Sequence, residues 1–170
     1  LNLGELGEIG PIAFGMWRFT STDVDASVAL VEAALDNGMN LIDTADVYGL
    51  DWNGTGFGTV ESALGEVLQH RPELRDRMVL ATKGGIVPPT PYDSSPVSIT
   101  AACEASLRRL QVETIDLYQI HRPDMFVHPE ALAQALSSLR DAGKIREVGV
   151  SNHTIAQTTA LQTFLPFPML

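Results

Sequence analysis

The chain is short of several things. Its 170 residues hold one cysteine, Cys103, so no disulfide can form within it. Cys103 falls in a helical pattern, and a buried, reduced thiol is expected there, which favours a cytoplasmic setting. Basic residues are scarce: 11 Lys and Arg stand against 21 Asp and Glu, a formal net charge of -10. That balance argues against a general nucleic-acid or membrane-surface binder, because both partners are polyanions. A small phosphorylated ligand needs only a local positive field and stays open. No apolar run approaches the ~18 residues a membrane span requires. No charged start leads into an apolar stretch with a cleavage site. His70, His128 and His153 show no metal-ligand spacing, so no metal is expected.

What the chain does have is an alternation. "PIAFGM" (11–16) reads as a buried strand. In "DVDASVALVEAALDNG" (23–38), Val24, Val28, Val31 and Leu35 recur at helical spacing, and Gly38 supplies the stop. "MNLID" (39–43) is a strand. Thr59 is expected to cap a helix whose inner face is Val60, Ala63, Leu64, Val67 and Leu68. "MVLAT" (78–82) is a strand. Ser95 caps the next helix and Pro96 takes its first position. The arginines of "RRL" (108–110) are expected in the solvated end of that helix. "TIDLYQI" (114–120), the helix ending at Gly143, "IREVGV" (145–150) and the helix 154–164 continue the series. "PML" (168–170) looks like the start of a further strand.

Five strand–helix units in series imply parallel strands, since each helix carries the chain back. An open doubly wound sheet would carry its ligand in a Gly-rich first turn. The first turn here is "GMWRFTSTD", with one glycine. "GTGFG" (54–58) is not G-x-G-x-x-G and reads as a loop. A (β/α)8 TIM barrel fits better, because its chemistry lies at the C-terminal ends of several strands. A full barrel takes ~250 residues, so only the first five to six βα units are expected here. The 170 residues then form a single domain, a partial barrel, read as a piece of a longer whole. Open edges on strands one and five lead to the expectation of a second chain covering them.

Polar residues cluster at the strand ends. Asp43 and Tyr48 follow strand two, Lys83 strand three, His121 strand four, and Ser151 with Asn152 strand five. Each has a bland reading alone: a loop-capping carboxylate, a packing tyrosine, a surface lysine, a strand cap. Together they suggest chemistry. A phenol is a poor acid at its reference value of ~10, and a nearby ammonium favours the phenolate. A carboxylate keeps that ammonium charged and in place. A histidine can orient a carbonyl and share the proton. Asp43, Tyr48, Lys83 and His121 therefore make a proton donor for carbonyl reduction.

The chain resembles the aldo-keto reductases. The likeness rests on "FGMWRF" (14–19), "DTADVYG" (43–49), "ESALGEVL" (61–68), "ATKGG" (81–85), "SLRRLQVETIDLYQIHRPD" (106–124) and "GKIREVGVSNH" (143–153), in the family's order. The resemblance implies a (β/α)8 barrel that binds a nicotinamide cofactor, NADP (NADPH) or else NAD, and reduces a small-molecule carbonyl substrate, an aldehyde or ketone. It gives Tyr48 the role of general acid, Lys83 and Asp43 that of its tuning pair, and His121 that of substrate orientation. It places Gly15, Met16, Asp43, Ser151 and Asn152 at the cofactor and Trp17 on the substrate side.

The chain departs from the pattern in places. The loop between Tyr48 and Glu61 is long, His153 replaces a common aromatic, and the loop 122–128 is short, as in microbial members. The family's nicotinamide-stacking residue and 2′-phosphate loop belong to strands six to eight, outside this sequence. Two other readings remain: a non-catalytic cofactor-binding or regulatory subunit, and an inactive truncated fragment.

Overall fold

The structure is a computed structural model that describes residues 1–51 and 53–170. Five strands form one sheet: β1 (Phe14–Gly15), β2 (Leu41–Asp43), β3 (Val79–Gly84), β4 (Ile115–Ile120) and β5 (Ile145–Val150). Their order is β1-β2-β3-β4-β5 and every pairing is parallel. The helices α1 (Val24–Asp36), α2 (Thr59–His70), α3 (Pro96–Leu110), α4 (Pro129–Asp141) and α5 (Ile155–Gln162) alternate with them. An order that never reverses is the winding of a barrel rather than of a doubly wound sheet, whose order turns back at a switch point. Consecutive helices pack on one another, α1 on α2 through α4 on α5.

The strands and helices meet in one apolar layer. Ile42, Leu64, Leu80, Ile99, Ile120, Leu136 and Val148 are fully buried in it. All of β3 is buried, as the near-continuous apolar strands of a covered parallel sheet should be. Cys103 is buried and free. Burial pushes its thiol up to about 12, so it stays protonated and inert.

Caps follow local chemistry. Asp23 Oδ1 accepts from Ala26 N–H at 3.1 Å, and Ser95 Oγ from Ser98 N–H at 3.3 Å. Thr154 and Gln157 form a reciprocal capping box at α5. Thr59 is not the cap expected of it. Gly58, at φ 81°, takes that place, and Thr59 Oγ1 donates to Gly56 O at 3.0 Å. A Cβ on Gly58 would lie 2.5 Å from Arg109 Cδ, so only glycine fits.

Arg109 is a second correction. It is not a solvated helix end. Its guanidinium turns inward onto the fully buried Glu61, with Nη2 2.6 Å from Oε2. Residues 168–170 form no strand, yet Leu170 N–H donates to Val148 O at 2.9 Å, in the position beside β5 that a further strand would occupy.

At the N-terminal ends of the strands, the Asp116 carboxylate ties several elements together. It accepts from Leu80 N–H at 2.8 Å and pairs with Arg75 at 2.8 Å and Arg146 at 3.0 Å. No described helix is long and apolar enough to cross a membrane.

Candidate active site

Strand geometry decides which side chains meet. Successive residues of a strand point to opposite faces. On β3, Thr82 reaches back toward α2, where its Oγ1 donates to Glu61 Oε1 at 2.6 Å. Its neighbour Lys83 therefore points the other way, toward the end of β2. The Lys83 ammonium donates to Asp43 Oδ2 at 2.7 Å, to Thr44 O at 2.8 Å and to Tyr48 Oη at 3.4 Å. Its three protons are thus matched by three acceptors. Lys83 is 5% exposed, so those contacts work with little competition from water.

Tyr48 is half-buried and faces His121 edge-on, with ring centroids 5.8 Å apart and planes at 79°. His121 follows β4 and is held by its backbone: its N–H donates to Gly84 O at 2.9 Å. The ring is neutral at ordinary pH. Burial, then the charges of Lys83 and Arg122, lower it to about 4. Its Nδ1 is buried without a partner among the described residues. Asp43, Tyr48, Lys83 and His121 thus gather at one mouth, as the sequence led us to expect.

A cavity of about 380 Å³ opens on this mouth, lined by Trp17, Tyr48, Leu50, Ile86, His121 and Arg122 among others. Trp17 closes one side, and its indole N–H donates to Asp51 Oδ1 at 3.3 Å. A larger groove of about 960 Å³ lies at the opposite end of the strands, around Arg75, Asp116 and Arg146. Those charges satisfy one another, and none of the residues above reaches it.

Past β5, Asn152 sits at φ 60°, a left-handed conformation that asparagine tolerates. Its amide donates to His121 O at 3.0 Å and to Ser151 Oγ at 2.9 Å. Both amide protons are used, so Oδ1 is left as the acceptor for a ligand. Ser151 N–H donates to Ile120 O at 2.9 Å, which seats this turn beside His121. Gly15, at the end of β1, is exposed. Met16 is fully enclosed in the core and offers no surface at the mouth.

Three residues of this region were not singled out from sequence. Gln119 Nε2 donates to Asp43 Oδ1 at 3.3 Å; its signal was strand alternation, two residues before His121. Glu61 lies on the inner face of α2 with Leu64 and Leu68, and a carboxylate in an apolar stripe was the sign to read. Asp46 is 2% exposed and carried no signal, since Asp in a loop is ordinary. Among the described residues, no group of three or more His, Cys, Asp or Glu is placed to hold a metal.

Known proteins give the same family. The model of the Aldo/keto reductase family matches residues 11–169. A 6-dehydroglucose reductase of Novosphingobium aromaticivorans is 52% identical over 168 residues, 96% of this chain and 55% of that protein. Among solved structures, the holo form of an aldo-keto reductase from Bacillus halodurans superposes with a TM-score of 0.80 at 28% identity, over 98% of this chain and 54% of its own. An aldo/keto reductase from Klebsiella pneumoniae in complex with NADP and acetate gives 0.76 at 29% identity, over 95% and 52%. The chain spans about half the length of the relatives it matches. Those relatives carry the remaining length within one chain, and nothing supports the second chain expected at the sheet edges. The α/β architecture is that of the first half of a (β/α)8 barrel, and the chain belongs to the aldo/keto reductase family.

Proposed function

We propose that the protein reduces an aldehyde or ketone to an alcohol with NADPH, Tyr48 giving the proton. One observation carries this reading: the Lys83 ammonium bridges Asp43 Oδ2 at 2.7 Å and Tyr48 Oη at 3.4 Å beside a neutral His121.

A bound nicotinamide cofactor would supply hydride to the carbonyl carbon. The site's residues fit such a group: Asn152 keeps a free amide oxygen next to Ser151, which suits a carboxamide N–H, and Gly15 is open. The holo and NADP-bound relatives support a nicotinamide cofactor in this fold. The chain's own work is on the oxygen. As negative charge grows there, the Tyr48 O–H gives its proton to it. The phenolate left behind is met by Lys83, which Asp43 holds in place and keeps charged. His121 contributes as a neutral donor. Its Nδ1 is buried and unpartnered, and an unpaired N–H there would be costly, so the proton belongs on Nε2.

The cavity suits a small substrate with a polar tail. Leu50, Ile86 and Trp17 give it apolar walls, while Arg122 and Asp51 stand at its rim. A hydroxylated aldehyde is the first class to try, given the 6-dehydroglucose reductase relatives. NADPH consumption by the natural full chain with a panel of such aldehydes is the test. Absence of turnover with all of them, at saturating NADPH, would remove the reading.

A further inference from the structure

Against the other face of the strand that carries Lys83 lies a second group of ionisable side chains. Asp46 comes from the β2–α2 connection, Glu61 from α2, Arg109 and Cys103 from α3, and Tyr118 from β4. Each except Arg109 is all but sealed from water: Asp46 is 2% exposed, Glu61, Cys103 and Tyr118 0%. The group holds two carboxyls and one guanidinium. Arg109 is committed to Glu61, with Nε at 2.7 Å and Nη2 at 2.6 Å from Oε2. Thr82 takes the other Glu61 oxygen. Asp46 Oδ1 is left buried with no partner among the described residues.

A buried carboxylate in that position is expensive, so the group keeps its proton instead. Desolvation, reinforced by the charge of Glu61, raises Asp46 to about 8, against the smaller pull of Arg109, of a hydrogen bond from the Val47 backbone, and of Lys83. The other groups facing it do not offset this. Tyr118 and Cys103 are held neutral by burial.

Asp46 is also tied to the active site by its backbone. Its N–H donates to Lys83 O at 3.0 Å. Thr44 N–H donates to Ala81 O at 2.9 Å, Thr44 O accepts from the Lys83 ammonium at 2.8 Å, and Tyr48 N–H donates to Ala45 O at 3.1 Å. The segment that bears both Asp43 and Tyr48 is thus stitched to β3, with Asp46 as its buried anchor.

We propose that Asp46 is a positioning residue for the Tyr48–Lys83 proton donor: as a buried neutral acid it anchors residues 43–48 against β3, and on ionising it releases them. A charged Asp46 finds Arg109 paired with Glu61 and Lys83 with Asp43, so its ionisation favours movement toward water. That pulls on the hydrogen bonds that set Tyr48 beside Lys83. Activity should then fall on the alkaline side at the ionisation of Asp46.

The inference rests on the reductase reading, and the experiment separates the two. The pH profile of kcat is measured for the natural full chain and for Asp46→Asn, which imitates the neutral acid at every pH. In the parent, the alkaline limb is expected near pH 8. In Asp46→Asn it should move upward by roughly one unit or more. A parent that turns over while the variant keeps the same limb overturns the inference and leaves the reductase reading standing. A parent that reduces no carbonyl removes the reductase reading, and hydrogen exchange of the parent then decides the anchor. The same holds if Asp46→Asn does not fold. Corrected for intrinsic rates, protection of amides 44–48 should fall on the order of tenfold between pH 7 and pH 9. Unchanged protection overturns the inference.

Discussion

Gln119 Nε2 donates to the one oxygen of Asp43 that Lys83 leaves free, at 3.3 Å, so the carboxylate is gripped from two strands at once. The register allows this, because Gln119 is the partner of Lys83 across β3 and β4. On its other side Gln119 pairs with Gly149, where an added Cβ would come within 3.2 Å of Gln119 Cγ. Gln119→Leu keeps the volume and removes the donor. It should cost about 1 kcal/mol of positioning, a roughly fivefold fall in kcat, with KM for NADPH nearly steady. Steady-state kinetics on the variant checks this, and an unchanged kcat would show that Lys83 alone holds Asp43.

Tyr48→Phe removes the proposed proton donor and keeps the ring that packs against His121. Carbonyl reduction should drop by ~10²–10⁴-fold, the usual worth of a positioned acid. NADPH affinity, read by quenching of protein fluorescence, should change little, because the hydroxyl acts mainly in the transition state. Lys83→Met should cost a comparable factor. It removes the cation placed to meet the proposed phenolate and leaves Asp43 Oδ2 and Thr44 O without their donor, while Gln119 still holds Asp43 Oδ1. Turnover that survives Tyr48→Phe with any aldehyde the parent reduces ends the proton-donor assignment.

These residues differ in how far the sequence revealed them. The strand–helix alternation was legible because apolar spacing and a cap such as Ser95 are local signals, whereas Thr154, read as the first residue of its helix, is its cap. Polar residues just past successive apolar runs marked Asp43, Lys83 and His121, since parallel strands bring those ends together. The strand limits were less legible. β1 is only Phe14–Gly15, and β3 runs on to Gly84, because ladder bonds depend on the neighbouring strand. Arg109 was misread for a related reason. Its sequence neighbours place it at a helix end, and only the tertiary approach of α2 supplies Glu61. Asp46 was invisible, because nothing local distinguishes a buried loop aspartate from a solvated one.

Asp116 should be costly to truncate. Its side chain is 5% exposed and balances two guanidinium groups from different elements while accepting from Leu80 N–H. Asp116→Ala leaves Arg75, itself one-quarter exposed, beside an unpaired amide. The loss should be about 2–4 kcal/mol, below the upper figures for buried pairs because Arg146 is half exposed and can rehydrate. A urea-unfolding midpoint measures it. A loss under about 1 kcal/mol would mean that the three strands hold their register without this clamp.

Asn152→Ala tests the cofactor side. The side chain braces His121 O and Ser151 Oγ and leaves only Oδ1 for a ligand. Losing that acceptor and the brace should weaken NADPH binding by roughly tenfold, about 1.4 kcal/mol. Equal affinity for the parent and Asn152→Ala, by calorimetry, would detach Asn152 from the cofactor.

His121 should leave its mark on stability as well as on rate. Burial, then Lys83 and Arg122, lower it to about 4 from its ordinary 6.5. Between those two values the unfolded chain binds the proton and the folded chain does not. Stability from this group therefore rises with pH across the window, is complete above about 6.5, and is lost as pH falls toward 4. The loss should be on the order of 1–3 kcal/mol. Asp46 acts over an overlapping range with the opposite sign, since a raised carboxyl favours the folded state at low pH. The two would partly cancel in a single stability curve. Comparing the parent with His121→Gln isolates the histidine, because the Asp46 contribution is common to both. The gap between the two proteins should shift in favour of His121→Gln as pH is lowered from 7 to 4. A gap independent of pH over that range would mean that His121 is not held neutral by its burial, and the role of neutral donor would fall with it.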